Sequence, residues 1–243
     1  MKFGLQLYTF RKELAADFDG TMQKIAQLGF DGVEVVTYRG PKSPAEYAQY
    51  LKDLNLECCG TMYEPAKISD PADEAYDYIK AIKSPAVTIS CWSENFAEEW
   101  QEQAAIINSV AQAAKTHGIP FSYHNHWLEC VKIGDTTALD KMLEAAQDNV
   151  WVEPDVCWLN RGGIDPAEFI GKYARRIKQV HFKDILIADD IKTTAALGTG
   201  VVDLKGAFAA AEAAGVDWII YEQDTTSDAF EDARKSLDFL KSL

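Results

Sequence analysis

Three of the four histidines in this chain stand in segments that read as the C-terminal ends of β-strands. Tyr123-His124-Asn125-His126 carries two of them at i and i+2, so both side chains share one face of an extended strand. Gln179-Val180-His181-Phe182-Lys183 places His181 and Lys183 together in the same way. Two carboxylates take equivalent places. Asp155 closes Trp151-Val152-Glu153-Pro154-Asp155, and Glu222 closes Ile219-Ile220-Tyr221-Glu222. Glu222 ends a strongly apolar run, where an ionised carboxylate is costly without a partner. Imidazole and carboxylate without thiolate make a nitrogen/oxygen donor set for a divalent ion: Mn, Co, Fe, Zn or Mg, with imidazole leaning away from Mg. The fourth histidine, His117, precedes the helix-ending Gly118 and reads as a capping or surface residue.

Donors so far apart in sequence need a scaffold that brings strand ends together. The chain supplies a repeated strand, turn and helix. Strands are predicted near Phe3–Tyr8, Gly32–Val36, Leu56–Thr61, Ala86–Ser90, Ile119–His126, Val150–Asp155, Ile177–Phe182 and Asp217–Glu222. Helices are predicted near Gly20–Leu28, Pro44–Leu54, Pro71–Ile82, Glu94–Thr116, Thr137–Asp148, Pro166–Tyr173, Leu204–Ala214 and Asp228–Leu240. Ser43-Pro44, Asp70-Pro71 and Asp165-Pro166 each set a capping residue before a proline at the first helical position. Gly29, Gly118 and Gly215 each close a helix just ahead of a strand. Eight such units in 243 residues predict an α/β fold, a single (β/α)8 TIM barrel over residues 1–243. An open doubly wound sheet would show a glycine-rich loop after its first strand, and Leu5–Arg11 has none. Barrel chemistry sits where strands end, and neighbouring strands stand ~5 Å apart, so successive strand ends can converge on one ion.

The earlier strand ends read as walls of that mouth. Gln6, Tyr8 and Arg11 close strand one, Glu34 strand two, Trp92 follows strand four and Trp158 follows Asp155. Aromatic faces pack well on sugar C–H surfaces. Glu34 suits hydroxyl binding, or an ion pair with Arg11 or Arg39, and Arg161 with Gly162-Gly163 suits a phosphate. A formal charge of −14 disfavours nucleic acid or an anionic membrane as main partner, leaving small molecules. Five cysteines without a CxxC pair read as free thiols in a reducing cytoplasm. No run approaches the ~18–20 apolar residues of a membrane span, and the N-terminus reads as a strand rather than a signal peptide. A homo-oligomer is compatible with all of this.

Together GLQLYTFR, GFDGVEV, YHNHWLE, EPDVCWLNRGGIDP, RIKQVHFKD, LGTGVVDL and VDWIIYEQD resemble the xylose-isomerase-like TIM-barrel family of sugar and sugar-phosphate isomerases and epimerases. The resemblance implies a divalent metal on strand ends five to eight, with Asp155, His181 and Glu222 matching ligand positions. The strand-five ligand of the ketose 3-epimerases is a glutamate. Counting from Gly118, that position is His124, with His126 as the alternative. The resemblance further implies proton removal beside a metal-polarised carbonyl through an enediolate. Glu222 would be ligand and base, a histidine such as His126 its counterpart (Glu129 being the other option), and Lys183 a neutraliser of oxyanion charge. Gln6, Tyr8, Glu34, Trp92 and Trp158 would hold a sugar-like substrate. Because only one of the two epimerase glutamates is retained, a keto-inositol or keto-sugar dehydratase stands beside the isomerase or epimerase reading. A non-catalytic sugar-binding barrel is a third class. An abasic-site endonuclease of the same fold would need more zinc ligands and a basic surface, against the four histidines and the charge.

Overall fold

The computed structural model describes residues 1–36, 40–147 and 149–243; Arg39 and the predicted helix end at Asp148 lie outside them. Eight short apolar segments form one parallel sheet: β1 (Lys2–Gln6), β2 (Gly32–Val35), β3 (Glu57–Met62), β4 (Val87–Ile89), β5 (Phe121–His124), β6 (Val150–Glu153), β7 (Gln179–Phe182) and β8 (Trp218–Tyr221). In β2, β4, β5, β7 and β8 every residue is buried, as expected for strands covered on both faces. Their order is β6-β5-β4-β3-β2-β1-β8-β7. The outer strands β6 and β7 meet through bridges at Val152–Ile177 and Asp155–His181, with His181 N donating to Pro154 O at 2.9 Å. The ring therefore closes as a TIM barrel, and the closing seam carries two of the candidate ligands.

Local chemistry explains the helices. Pro166–Tyr173 starts where expected, because the Asp165 carboxylate accepts from Glu168 N at 2.9 Å and Pro166 leads the first turn. Ser43 and Glu46 form a reciprocal capping box ahead of Pro44–Asp53. Gly29 ends the helix Phe18–Leu28 at φ 91°, a conformation that favours glycine. The helix predicted from Pro71 is shorter, Ala75–Ala81. Asp70 and Asp73 accept from Ala72 N and Ala75 N, at 2.8 and 2.7 Å, and bend the backbone into turns instead of starting a helix. The helix Phe96–Thr116 ends at His117, which stacks on Tyr76 and meets Lys80 Nζ at 2.7 Å, away from the strand ends. All five cysteines are free. Among the described residues no helix is long and apolar enough to cross a membrane.

Candidate active site

Each strand end is shaped by a local hydrogen bond. β1 stops at Gln6 rather than Tyr8, because Gln6 Oε1 accepts from Tyr8 N at 3.2 Å and Leu7–Phe10 turns into a 3-10 segment. Tyr8 is left at the mouth, 38% exposed. β5 stops at His124, where Asn125 Oδ1 accepts from Asp155 N at 3.0 Å and ties it to β6. Asp155 in turn caps the helix Val156–Arg161, its Oδ1 accepting from Cys157 N and Trp158 N at 2.9 and 3.0 Å. Its Oδ2 makes no hydrogen bond among the described residues and stands 3.3 Å from Lys183 Nζ.

His124, Asp155, His181 and Glu222 converge. One nitrogen or oxygen of each lies within 4.8 Å of the others, and all four residues are buried. His181 Nδ1 is 3.0 Å from Glu222 Oε2. The His124 and His181 rings stand 4.6 Å apart, and His124 Nδ1 has no hydrogen-bond partner among the described residues. His126 is outside this quartet; it meets the Trp92 ring edge-on at 5.4 Å.

Lys183 is 1% exposed and holds three carboxylates, Asp224 at 2.8 Å, Glu222 at 3.1 Å and Asp155 at 3.3 Å. Its stem is fixed by position as well as charge, with Nζ 4.5 Å from the centre of the Trp158 ring. Burial disfavours the ammonium, but Asp224, Glu222 and Asp155 outweigh that and hold Lys183 well above its ordinary pKa. Burial likewise opposes charge on Glu222, and Lys183 with His181 overcomes it, keeping the carboxyl well below the usual range. Asp155 is pushed up to about 6 by burial, with Lys183 pulling the other way. Burial keeps both strand-five histidines neutral: His124 sits well below its ordinary value and His126 falls to about 4.

Beside the quartet opens a cavity of about 990 Å³, with Gln6, Tyr8, Trp92, His124, His126, Trp158, Lys183 and Glu222 among its lining residues. Three expected residues stand elsewhere. Glu34 does not line the cavity; it is wholly buried beneath His181, because the inward face of β2 places it one layer down in the barrel. Its partners are Gln6, Gln179 and His181, not Arg11, which donates to Tyr8 O and Asp224 O. Glu129 is also enclosed, accepting from Tyr123 OH at 2.9 Å and His126 N at 2.8 Å, so it braces the strand-five loop from behind. Arg161 does not line the cavity; it lies over Trp127, which does, and donates to Ala188 O.

Sequence reasoning missed Glu153, Gln179 and Asp224. Gln179 donates to Glu153 Oε1, and also reaches Glu34 Oε1 at 3.5 Å. The signal was present: Glu153 precedes Asp155 by two residues, Gln179 precedes His181 by two, and Asp224 follows Glu222 by two. A period of two keeps a strand residue on the inward face, one layer deeper or higher.

Comparison with known proteins fits this architecture. The family model for the xylose isomerase-like TIM barrel matches residues 22–243. An inosose dehydratase of Clostridium botulinum (strain Alaska E43 / Type E3) is 27% identical over 192 residues, 69% of this chain and 63% of that protein. The chain thus spans less than two thirds of the length of the curated relatives it matches first. Among solved structures, a sugar phosphate isomerase/epimerase from Parabacteroides distasonis ATCC 8503 superposes with a TM-score of 0.80 at 22% identity, covering 99% of this chain and 94% of that one. A structure of the IolI protein with a bound zinc atom superposes at 0.77 with 13% identity, covering 100% of this chain and 97% of that one.

Proposed function

The chain belongs to the xylose isomerase-like TIM-barrel family, and from that premise we propose a divalent-metal-dependent sugar isomerase or epimerase that moves a proton at the carbon beside a carbonyl. The observation that carries the reading is the convergence of His124, Asp155, His181 and Glu222 from four consecutive strand ends beside a cavity. The residues fit a cation. Two imidazoles and two carboxylates are a borderline donor set, and His124 Nδ1 and Asp155 Oδ2 are buried without hydrogen-bond partners among the described residues. A related structure holding zinc supports the same assignment. Bound there, a divalent ion supplies Lewis acidity to a substrate carbonyl and hydroxyl.

The chain's own groups account for the rest. Glu222 is ionised and lines the cavity, so it serves as ligand and as a proton acceptor. His126 is neutral and also lines the cavity, so it is available as a second proton-exchanging group for the substrate. Lys183 carries a fixed positive charge that a developing oxyanion can use. Trp92, 60% exposed, offers its ring to sugar C–H groups and Tyr8 its hydroxyl to polar groups, while the buried Gln6 and Trp158 shape the wall, the Gln6 amide being held by Glu34 and Tyr8 N and the Trp158 ring lying under Lys183.

A second reading is a dehydratase of keto-inositols or keto sugars, in which proton removal is followed by loss of a β-hydroxyl. It is favoured by histidine in place of the second epimerase glutamate and by the relative named inosose dehydratase. The test is a screen of the metal-reconstituted protein against keto sugars, keto-inositols and ketose phosphates in deuterated water. Deuterium entering beside the carbonyl supports the reaction class, and the product distinguishes isomer from dehydrated compound. No deuterium uptake with any of these substrates would sink it.

A further inference from the structure

Beneath the quartet lies a second polar layer, joined to it by His181, whose other members the proposed reaction does not use. Gln6, Glu34, Glu153, Gln179 and His181 are all at most 2% exposed, contributed by strands β1, β2, β6 and β7. Both glutamines donate their amides to the carboxylates: Gln6 Nε2 to Glu34 Oε2, and Gln179 Nε2 to Glu153 Oε1. His181 links this layer to the mouth. Its Nε2 is 2.8 Å from Glu34 Oε2 and 3.3 Å from Glu153 Oε1, while its Nδ1 faces Glu222 Oε2 at 3.0 Å.

Both ring nitrogens face carboxylate oxygens, but Nε2 faces them inside the barrel and Nδ1 at the mouth, where a bound ion would take the place of its proton. Glu34 Oε2 already accepts from the Gln6 amide, so it meets His181 as an acceptor and the imidazole donates from Nε2. Nδ1 is then the atom presented to Asp155, His124 and Glu222. Two carboxylates held from behind by amides also leave the ring little freedom to turn. We propose that Glu34, supported by Gln6 and by the Glu153–Gln179 pair, is a positioning residue that locks His181 with Nε2–H pointing inward and Nδ1 as its ligating atom. This rests on the metal reading above. A ligating histidine is oriented by the hydrogen bond its other nitrogen makes, and loss of such a partner weakens metal binding by ~10–100-fold.

The test uses the full chain labelled with ¹⁵N-histidine, with the His181 signals identified by their absence in His181→Gln. Long-range ¹H–¹⁵N correlation is recorded on the chelated protein and after adding ¹¹³Cd(II). The expected result is a retained Nε2 proton in both states and cadmium coupling to Nδ1. Titration of Zn(II) against a competing chelator should show affinity ~10–100-fold weaker in Glu34→Leu and close to wild type in Glu34→Gln, which keeps the acceptor oxygen. Cadmium coupling to Nε2, an Nε2 without its proton, or wild-type zinc affinity in Glu34→Leu would overturn the proposal. Should Glu34→Leu fail to fold, the wild-type spectra decide alone. A chain that binds neither ion yet keeps a bonded Nε2 proton would support the inward hydrogen bond and remove the metal reading, so the two failures are distinguishable.

Discussion

Replacing Lys183 with methionine tests the electrostatics of the site directly. The change keeps the length and apolar bulk of the stem beside Trp158 and deletes one charge. In the wild type that charge stands within 3.3 Å of Asp155, Glu222 and Asp224. Lys183 and Asp155 are essentially inaccessible to water, so solvent screens little of the interaction. Removing one partner from a buried ion pair typically costs ~3–5 kcal/mol. Here the loss is bounded because one of the three carboxylates can take up a proton in place of the ammonium. For a domain of this size 1 kcal/mol corresponds to ~2–4 °C, so the chelated variant should melt ~6–20 °C below wild type. A divalent ion supplies positive charge to the same carboxylates, so adding Zn(II) should raise the melting temperature more in Lys183→Met than in wild type. Thermal unfolding by circular dichroism, with chelator and with zinc, reads both effects. A chelated variant melting within ~2 °C of wild type would refute the argument that this ammonium neutralises a buried carboxylate cluster.

Three further outcomes follow from the same structure. Burial raises Glu129 from 4.5 to about 7, so its contribution to stability is fullest below pH ~4.5 and falls away as pH rises to about 7, by ~3 kcal/mol in all. Urea unfolding of Glu129→Gln against wild type should show the variant gaining by that amount between pH 4 and pH 8, and a constant difference would contradict it. His124→Ala should weaken zinc binding while His126→Ala leaves it intact and slows product formation more than solvent deuterium exchange; the reverse pattern in a chelator competition would reassign the two residues. Asp184 accepts from the backbone N–H groups of Ile185, Gly198, Gly200 and Val202, so Asp184→Ala should lose at least ~3 kcal/mol and open residues 196–203 to proteolysis, measured by denaturant midpoint and limited digestion.

The barrel was readable because its strands are short apolar runs between Gly-closed, Asp- or Ser-capped helices. Where boundaries moved, a side chain had captured a backbone group: Gln6 turned β1 at Tyr8, and Asp70 and Asp73 diverted the start of Ala75–Ala81. The two small hairpins, Lys132–Ile133 with Thr136–Thr137 and Asp184–Ile185 with Thr194–Ala195, carry two residues per arm and leave no periodic signal. The four residues of the quartet stand out in sequence because charged groups ending apolar strands demand partners. Depth is harder to read. Glu34 and Trp92 both follow apolar strand residues, yet one is sealed under His181 and the other is 60% exposed. That difference depends on the stagger of the strands around the ring, which no single segment encodes. The buried layer of Glu34, Glu153 and Gln179 belongs to the same category, since its meaning comes from contacts across three strands.

The proposed chemistry requires one divalent ion bound by the ends of β5 to β8. Metal content of the purified and reconstituted chain, measured by inductively coupled plasma mass spectrometry beside His181→Ala and Glu222→Ala, tests this most directly. The prediction is about one ion per chain in the wild type and a near-complete loss in each variant that remains folded. A wild-type chain that retains no divalent ion after reconstitution, or folded variants that retain as much as wild type, would contradict it.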